Sequence, residues 1–447
     1  MGKQKFQKNK GKFKKDNFKG KGNSGEGGFR KSFGKAGFKD KPRFQENPEL
    51  VDICDVSSDL AKQTIEVKGL VERVVQTGGP TVFMISDGTG TLGLKGFEGP
   101  GERAYPEIEE GDSVKAIVSI GEFNGELEGD IKKISKLSEK EHEGYLKKIL
   151  DIQKERAKVE EIDFLVKSPI LDKLKDNFFK AAMEIRLAII QGRPIIVRHH
   201  NDTDGYSAGF ALERAILPLI LKEHSSDKAG WEFFLRAPCA APFYEIDDSI
   251  RDAAQSLRNV AKFSNKMPLV VIADNGSSPE DLLGINHGKV HGMEFIVIDH
   301  HFSDEDVITD EVLVHINPFL VGENGSAFSA GMLCTELARL INNVDNLEQI
   351  PAMAGFADRI DLENPAVMED YLKIAKKQGY TKDLLHDISK VIDFVSAKVR
   401  FMEVREYMEA VFGEPREKQK ALVGLLAPHI KKLEKKGLAI SNANATT

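Results

Sequence analysis

The segment at residues 193–208 reads RPIIVRHHNDTDGYSA, and it contains the transition on which the fold of most of the chain depends. The apolar run Pro194–Arg198 predicts a short strand that is buried on both faces. The polar series that follows leads into a helical pattern at Ser207–Leu221. A buried strand followed at once by a helix is typical of a parallel α/β sheet.

The same alternation of strand and helix continues downstream. Further strands are predicted at Trp231–Ala237, Leu269–Ala273, Phe295–Ile298 and Val312–Ile316, and a second helix between strands at Asp247–Lys262. Strands with almost no polar residues indicate a sheet that helices cover on both faces. Because ligands of such sheets bind just beyond the carboxyl ends of the strands, the residues at those ends are the candidate site residues.

Acidic residues and histidines occupy these strand ends. The segments concerned read RHHNDTDGYSA (198–208), VVIADNGSS (270–278), FIVIDHHFS (295–303) and, later, GFADRIDL (355–362). The candidates are His200, Asp202, Asp204, Asp274, Asp299, His300, His301 and Asp358. Converging carboxylates are costly to bury unless a cation neutralises them. We therefore predict a site for two divalent ions, and mixed His and Asp ligands favour Mn²⁺, with Mg²⁺ as the alternative.

These four segments, in this order, resemble the DHH phosphoesterase superfamily, which is named for a triplet found here as Asp299, His300 and His301. The HxDxDG form of the first segment, the DNG of the second and the INP at 316–318 resemble the RecJ exonuclease branch. Together with the barrel predicted upstream, they suggest an archaeal RecJ-like protein. The resemblance covers roughly residues 193–362.

The resemblance also implies a role for each candidate. The ligands are His200, Asp202 and Asp274 for one ion, and Asp204, Asp274, His300 and Asp358 for the other. Asp274 would then bridge the two ions. His301 would face the scissile phosphate, and Asp299 would orient the histidines. Arg198 is a further candidate for a phosphate contact, whereas His199 is expected to pack or to support the ligands. The glycine-containing turn at 323–331 could bind a phosphate at a helix N-terminus or only pack tightly.

Residues 63–138 have a different pattern. Five short strands with glycine-rich turns are predicted, and they fit a small Greek-key barrel that resembles the nucleic-acid-binding OB-fold. Phe83, Phe97 and Phe123 are its candidates for stacking on bases, and Lys95 is its candidate for a phosphate contact. A barrel that serves only as a spacer or as a protein-docking surface remains an alternative.

The N-terminal segment 1–46 is rich in Lys, Gly and Phe. Residues 1–43 contain 15 Lys and Arg against three acids, a net charge of +12, while the remainder of the chain carries −19. Such a composition cannot bury enough apolar surface to offset chain entropy, so we expect this arm to be disordered. Phenylalanines spaced among cations suit single-stranded nucleic acid, and a simple tether is the alternative.

Five segments follow from these patterns. They are the basic arm at 1–46, the OB-fold at 47–138, a helical linker at 139–192, the DHH catalytic domain at 193–365 and a helical region at 366–447. The fold class is therefore α/β, a parallel-sheet domain preceded by a small β-barrel and a basic tail. Proteins of the resembled family usually carry a second domain, DHHA1, with a glycine-rich GGH motif. No GGH occurs in this sequence.

Composition excludes several other classes of protein. The three cysteines, Cys54, Cys239 and Cys334, form no CxxC pair, which argues against a zinc ribbon or a disulfide framework. No apolar run reaches the roughly 18 residues that span a bilayer, and the basic N-terminus lacks the apolar core of a secretory signal. We expect a cytoplasmic protein without a membrane partner.

The predicted function is hydrolysis of single-stranded nucleic acid by a metal-dependent exonuclease of the DHH family, in DNA replication or repair. Two alternatives remain open: a phosphodiesterase for cyclic dinucleotides or nano-RNA, and a replisome scaffold that keeps the fold. The resemblance further implies association with GINS or with the replicative helicase. The sequence does not decide whether the substrate is DNA or RNA. It also leaves open the polarity of cleavage, the metal used and the oligomeric state.

Overall fold

The structure is a computed structural model, and it describes residues 48–123, 125–224, 228–263, 266–303, 305–399, 405–413 and 415–445. The basic arm expected at 1–46 lies outside these residues. None of the described helices is long and apolar enough to cross a membrane.

The first part of the described chain is a closed barrel of five strands. The strands are β1 (Thr64–Gln76), β2 (Thr81–Ser86), β3 (Thr91–Gly96), β4 (Ser113–Phe123) and β5 (Glu126–Lys136). They close in the order β1-β2-β3-β5-β4, and only the β3–β5 pair is parallel. Alternate residues of β1, such as Val67 and Val71, point into the barrel, as the period of two in the sequence predicts. The predicted barrel is confirmed.

Two helices follow the barrel, α1 (Glu139–Ala157) and α2 (Pro169–Ile190). Ser138 caps α1 in a reciprocal arrangement with Glu141. The side chain of Ser168 accepts a hydrogen bond from the backbone of Ile170, directly before Pro169 at the first position of α2. The Ser-Pro break in the sequence is therefore the start of the second helix.

A parallel sheet of five strands forms the centre of the larger part of the chain. Its strands are β6 (Ile195–His199), β7 (Phe234–Pro238), β8 (Leu269–Ala273), β9 (Glu294–Ile298) and β10 (Val314–Ile316), arranged in the order β10-β9-β8-β6-β7. The predicted strands agree closely except at the first edge strand. Trp231, which we expected in a strand, lies in a short helix and is 77% exposed.

Helices cover both faces of this sheet, as an apolar parallel sheet requires. Helix α2 packs against β6 and β10. The helices that follow β6 in the chain are α3 (Thr203–His224), α4 (Ala229–Glu232), α5 (Ile246–Phe263), α6 (Pro279–Val290), α7 (Glu305–Ile308), α8 (Ala330–Ile341), α9 (Ile350–Ala357), α10 (Ile360–Glu363), α11 (Pro365–Lys377), α12 (Lys382–Val399), α13 (Arg405–Phe412) and α14 (Arg416–Ala445). Adjacent residues of β8 belong to different cores: Val271 to the larger one and Val270 and Ile272 to the smaller one. The larger core extends through α2, α3, α8 and α9 to α12 and α14, so the helices after residue 365 share a core with one face of the sheet.

Candidate metal centre

Three neighbouring strands, β6, β8 and β9, end at the same edge of the sheet, and the predicted ligands follow them. His200 comes directly after β6, Asp274 directly after β8, and Asp299 and His300 directly after β9. Asp358 reaches the same place from the C-terminal end of α9. Four segments that are far apart in the sequence therefore meet beyond the carboxyl ends of the strands, where parallel sheets bind their ligands.

The described residues contain three groupings whose potential ligand atoms lie within 4.8 Å of one another, and one of them is Asp274 with His300 and His301. Of the other two, the first contains His200, Asp202 and Asp274. Nδ1 of His200 lies 2.9 Å from Oδ2 of Asp202 and 3.5 Å from Oδ2 of Asp274. The second contains Asp204, Asp274, His300 and Asp358.

In the second grouping the imidazole of His300 is central. Its Nε2 lies 3.0 Å from Oδ2 of Asp358, 3.4 Å from Oδ1 of Asp274 and 3.8 Å from Oδ2 of Asp204. Asp274 thus faces the first grouping with Oδ2 and the second with Oδ1. These are the same two sets that the resemblance implied.

The donor atoms fit bound cations. Both carboxylate oxygens of Asp274 and Nε2 of His300 are buried, and within the described part of the chain none of them has a hydrogen-bond partner. A buried polar atom without a partner costs on the order of 1–3 kcal/mol, and a bound cation would remove that cost for all three. Asp274 also has a left-handed backbone, with φ of 61°, a strained conformation for a residue other than glycine that often occurs at functional sites.

The backbone near α8 holds Asp204 in place. Its two oxygens accept hydrogen bonds from the amides of Ala330 and Gly331, at 2.8 and 2.9 Å. The N-terminus of a helix is a favourable place for a negative charge. A Cβ on Gly331 would lie 2.5 Å from that of Ala354, so α8 packs tightly here. For the turn at 323–331 we considered phosphate binding and tight packing. The structure shows tight packing, and the amides of Ala330 and Gly331 bind a carboxylate of the protein itself.

The ring of His300 is oriented by the backbone of Gly325. Its Nδ1 lies 3.4 Å from the carbonyl oxygen of Gly325, which favours a proton on Nδ1 and leaves Nε2 as the ligand atom. Glycine is required here, because a Cβ at residue 325 would lie 1.8 Å from the carbonyl oxygen of His300.

The electrostatics of the cluster show what a cation would neutralise. Burial raises the pKa of Asp274, and the charge of Asp202 adds to the effect. Burial also raises the pKa of Asp204, and the charges of Asp358 and Asp274 add to it. For His200, burial lowers the pKa, but the nearby carboxylates of Asp202 and Asp274 outweigh it and raise the pKa to about 10. Protons are thus retained where the carboxylates crowd together, and divalent ions could replace them.

Asp299 and His301 form a separate pair beside the cluster. Oδ1 of Asp299 accepts a hydrogen bond from Nδ1 of His301 at 2.8 Å and others from the amides of His300 and His301. Burial alone would raise the pKa of Asp299, but the hydrogen bond from His301 outweighs it and lowers the pKa. The side chain of His301 is 50% exposed, so the buried carboxylate orients an imidazole that solvent and substrate can reach.

A buried polar network supports this pair, and sequence reasoning missed most of it. Nδ2 of Asn317 donates to the carbonyl oxygen of His301 at 2.9 Å and to Oγ of Ser277 at 3.0 Å. Ser277 also contacts Nε2 of His315 at 2.9 Å, and its amide donates to Asp299. The only signal in the sequence was the INP segment, which served there as part of a resemblance and not as a role for Asn317.

A second support comes from α12. Thr203, between two of the candidate ligands, donates its amide proton to Oδ1 of Asp393 at 3.0 Å. Its hydroxyl lies 2.5 Å from the same oxygen and 2.9 Å from the carbonyl oxygen of Ser389. These partners are almost 190 residues away in the sequence, so no local pattern could have indicated them.

Two of the predicted nucleic-acid contacts are wrong. Arg198 is 6% exposed, and its guanidinium is held by the buried carboxylates of Asp248 and Asp252. Phe83 is fully buried in the barrel, where its ring meets Tyr105 edge-on. Neither side chain can reach a nucleic-acid strand, because Arg198 points to a face of the sheet that helices cover and Phe83 points to the inside of the barrel. His199 is buried, and its Nδ1 contacts the carbonyl oxygen of His200 at 2.7 Å.

The other barrel candidates are at the surface. Phe97 and Phe123 are 64% and 58% exposed. Lys95 lies over the ring of Phe123, with Nζ 4.2 Å from the ring centre, and it also pairs with Glu128. Its charge is therefore already engaged within the barrel. Residues 48–138 contain nine Lys and Arg against 17 Asp and Glu, a net charge of −8, which disfavours attraction of a polyanion by the barrel as a whole.

Part of the chain matches the model of a known family. Residues 194–356 match the model of the DHH family, N-terminal domain. The uncharacterized protein MJ1198 of Methanocaldococcus jannaschii is 40% identical over 399 residues, covering 84% of this chain and 52% of that protein. The chain therefore spans about half the length of this curated relative.

A solved DHH domain, from a protein described as a member of a family of ribosomal proteins, is 39% identical with a TM-score of 0.64, and the match covers 67% of this chain and 70% of that one. The chain belongs to the DHH family. A crystal structure of exonuclease RecJ bound to manganese matches 63% of this chain and 70% of its own, at 15% identity and a TM-score of 0.42, a similarity too low to support a conclusion about this chain.

Proposed function

We propose that the chain is a two-metal phosphodiesterase that hydrolyses single-stranded nucleic acid, as an exonuclease of the RecJ type in DNA replication or repair. The observation that carries the proposal is Asp274, a buried carboxylate whose two oxygens face two separate groupings of His and Asp. Membership of the DHH family supports the same chemistry. Divalent ions held there would neutralise phosphate charge and supply hydroxide at neutral pH.

The residues around the cluster would position the substrate. His301 is half exposed, and its pKa is raised, chiefly by the hydrogen bond to Asp299. Its Nδ1 proton is directed to Asp299, so a proton on Nε2 is available for an oxygen of the scissile phosphate. Asn317 holds the backbone of His301 and keeps this geometry. Mn²⁺ suits the mixed ligands best, with Mg²⁺ as the alternative.

The test is cleavage of end-labelled single strands with added Mn²⁺. We expect Asp274→Ala to abolish cleavage, because it removes a carboxylate from both groupings. The matched control is Asp370→Ala, which removes an exposed carboxylate of α11 that pairs only with Lys373 among the described residues. Cleavage by Asp274→Ala at the rate of the control would refute the assignment of the site.

A second candidate function is hydrolysis of short substrates such as dinucleotides. The acidic barrel favours it, since a net charge of −8 on residues 48–138 offers little attraction to a long strand. Faster turnover of a dinucleotide than of a long single strand would support this candidate.

Association with GINS or the replicative helicase remains a prediction from the resemblance, to be tested by co-purification of the full chain with each.

For the basic arm at 1–43, with its charge of +12, we propose capture of the strand. Deleting residues 1–46 should weaken binding most at low salt, because fewer phosphate contacts mean less counterion release. Equal salt dependence with and without these residues would show that the arm is a tether.

A further inference from the structure

A group of cations lies beside the acidic cluster, and no role has been assigned to it. Arg359 directly follows the candidate ligand Asp358, and it adopts a left-handed backbone with φ of 59°. Its side chain is 61% exposed, and Nε contacts Oδ1 of Asp361 at 3.3 Å. The remaining guanidinium nitrogens have no partner within the described residues, so a fork of donors faces solvent next to the cluster.

Two residues of α12 pack over the same end of α9. Nζ of Lys382 lies 5.2 Å from the ring centre of Phe356, and the ring of His386 lies 4.5 Å from it. Phe356 is itself two residues before Asp358. Burial and then the charge of Lys382 lower the pKa of His386, the charge of Asp361 opposes them, and the charge of Arg359 has a smaller lowering effect. The three side chains are therefore close enough to act on one another.

The position of α12 relates these cations to the ligands. In its C-terminal half Asp393 holds Thr203, which lies between Asp202 of the first grouping and Asp204 of the second. Lys382 and Asp393 are 11 positions apart, about three turns, which places them on the same helix face roughly 16 Å apart. One face of α12 thus extends from the first candidate ligands to the cations beside Asp358.

Within the described part of the chain, the charge of Lys382 is not balanced by an ion pair. Among the described residues, no carboxylate lies within 4.0 Å of Nζ of Lys382, and the helix N-terminus at which it lies already disfavours a cation. Three cationic or donor groups at an N-terminus instead suit an anion. A phosphate at this place would be held next to the candidate metal centre.

We propose that Arg359, Lys382 and His386 bind a backbone phosphate of the nucleic-acid strand, next to the scissile linkage. This rests on the proposed function. The chemical class of the ligand is a phosphodiester, and the contact gives the strand a fixed position relative to Asp358 and the neighbouring ligands.

The first test measures phosphate contacts through salt dependence. Affinity for a fluorescent single strand is measured between 50 and 300 mM salt, with Ca²⁺ in place of Mn²⁺ to slow cleavage. For Arg359→Gln with Lys382→Gln, the slope of log affinity against log salt should decrease in magnitude by about 1.4, or about 0.7 for each cation that no longer meets a phosphate. The charge-matched control is Lys373→Gln with Lys398→Gln, which alters exposed lysines of α11 and α12 and should keep the slope of the native protein.

A slope in the double variant equal to that of the native protein would overturn the proposal. The comparison requires an intact metal site, which is shown if Mn²⁺ still raises the melting temperature of the variant. A variant that fails this check is replaced by the single change Lys382→Gln, which is remote in sequence from the ligands and should decrease the slope by about 0.7.

A second test locates the phosphate. One linkage of the strand is replaced by an uncharged methylphosphonate, and the position is moved from each end in turn. At one position near an end, the native protein should lose affinity and the double variant should lose none. Equal losses in both proteins at every position would refute the proposed phosphate site. Cleavage that persists in Asp274→Ala would instead refute the proposed function and leave this phosphate site standing.

Discussion

The shared carboxylate of Asp274 leads to a prediction that does not depend on finding the substrate. The change is Asp274→Asn, which keeps the size of the side chain and removes its charge. In the native protein this carboxylate is 1% exposed, both of its oxygens lack hydrogen-bond partners within the described residues, and burial raises its pKa. We therefore expect the variant without metal to be at least as stable as the native protein without metal.

The magnitude comes from ligand linkage. A ligand at 100 times its dissociation constant stabilises the folded state by about 2.7 kcal/mol. Residues 48–447 form one compact unit, and if they unfold together the entropy of unfolding is about 0.8 kcal/mol/K, from roughly 2.1 cal/mol/K per residue. Saturating one site with Mn²⁺ should then raise the melting temperature by about 3 °C, and saturating two sites by about 6 °C.

The assay is thermal unfolding with chelator and with increasing Mn²⁺. We expect the native protein and an Asp370→Asn control to show the upward shift, and Asp274→Asn to lose most of it, because the residue belongs to both groupings. A shift of the same size in Asp274→Asn would contradict the bridging role. A fall of several degrees in its melting temperature under chelator would contradict the account of a strained, unneutralised carboxylate.

Three further changes test the supports of the site. Burial lowers the pKa of His315 to about 4, so between pH 6.5 and 4 the unfolded chain binds more protons than the folded protein, and the free energy of unfolding falls as the pH falls. In urea unfolding, His315→Gln should lose about 3 kcal/mol less than the native protein across this pH range. A pH profile in the variant equal to that of the native protein would refute this prediction. Gly325→Ala places a Cβ 1.8 Å from the carbonyl oxygen of His300, so calorimetric titration should show Mn²⁺ affinity reduced 10-fold or more, and native affinity would contradict this orienting role. Thr203→Val removes the hydroxyl contact with Asp393. It should weaken Mn²⁺ binding by about 10- to 100-fold and lower the free energy of unfolding by about 1 kcal/mol. A decrease in stability with unchanged Mn²⁺ affinity would mean that the contact is only structural.

The fold was largely predictable because its signals are local. Apolar runs of about five residues followed by helical patterns gave the strands of the sheet, and alternating residues gave the barrel. Trp231 shows where this reasoning fails. An aromatic residue before an apolar run favours a strand, but a short helix, Ala229–Glu232, precedes β7 and leaves the indole exposed. The turn is closed by local backbone hydrogen bonds, from the amide of Trp231 to the carbonyl oxygen of Lys228 at 2.9 Å and from that of Phe233 to Ala229 at 2.8 Å.

The candidate ligands could be found from the sequence because each follows a predicted strand or lies in a recognisable segment. Their supports could not. Asp393 contacts Thr203, and Gly325 orients His300, through contacts that only the folded chain creates. The two wrong predictions of nucleic-acid contacts, Phe83 and Arg198, have a related cause. An aromatic ring can stack on a base and a guanidinium can bind a phosphate, but the residue type does not tell which side of the sheet the side chain faces.

The helices after the sheet belong to the site as much as the strands do. The DHH family match ends at residue 356, whereas the candidate ligand Asp358, the strained Arg359 and the supporting Asp393 all come later. The larger core continues without interruption into these helices. With a barrel of charge −8 and with Arg198 buried, Lys382 of α12 and Arg359 beside Asp358 are our candidates for holding a phosphate near the candidate metal centre. If the arm captures the strand by charge alone, it can raise the local concentration of substrate but cannot fix its register; the register would have to come from contacts such as those of Arg359 and Lys382.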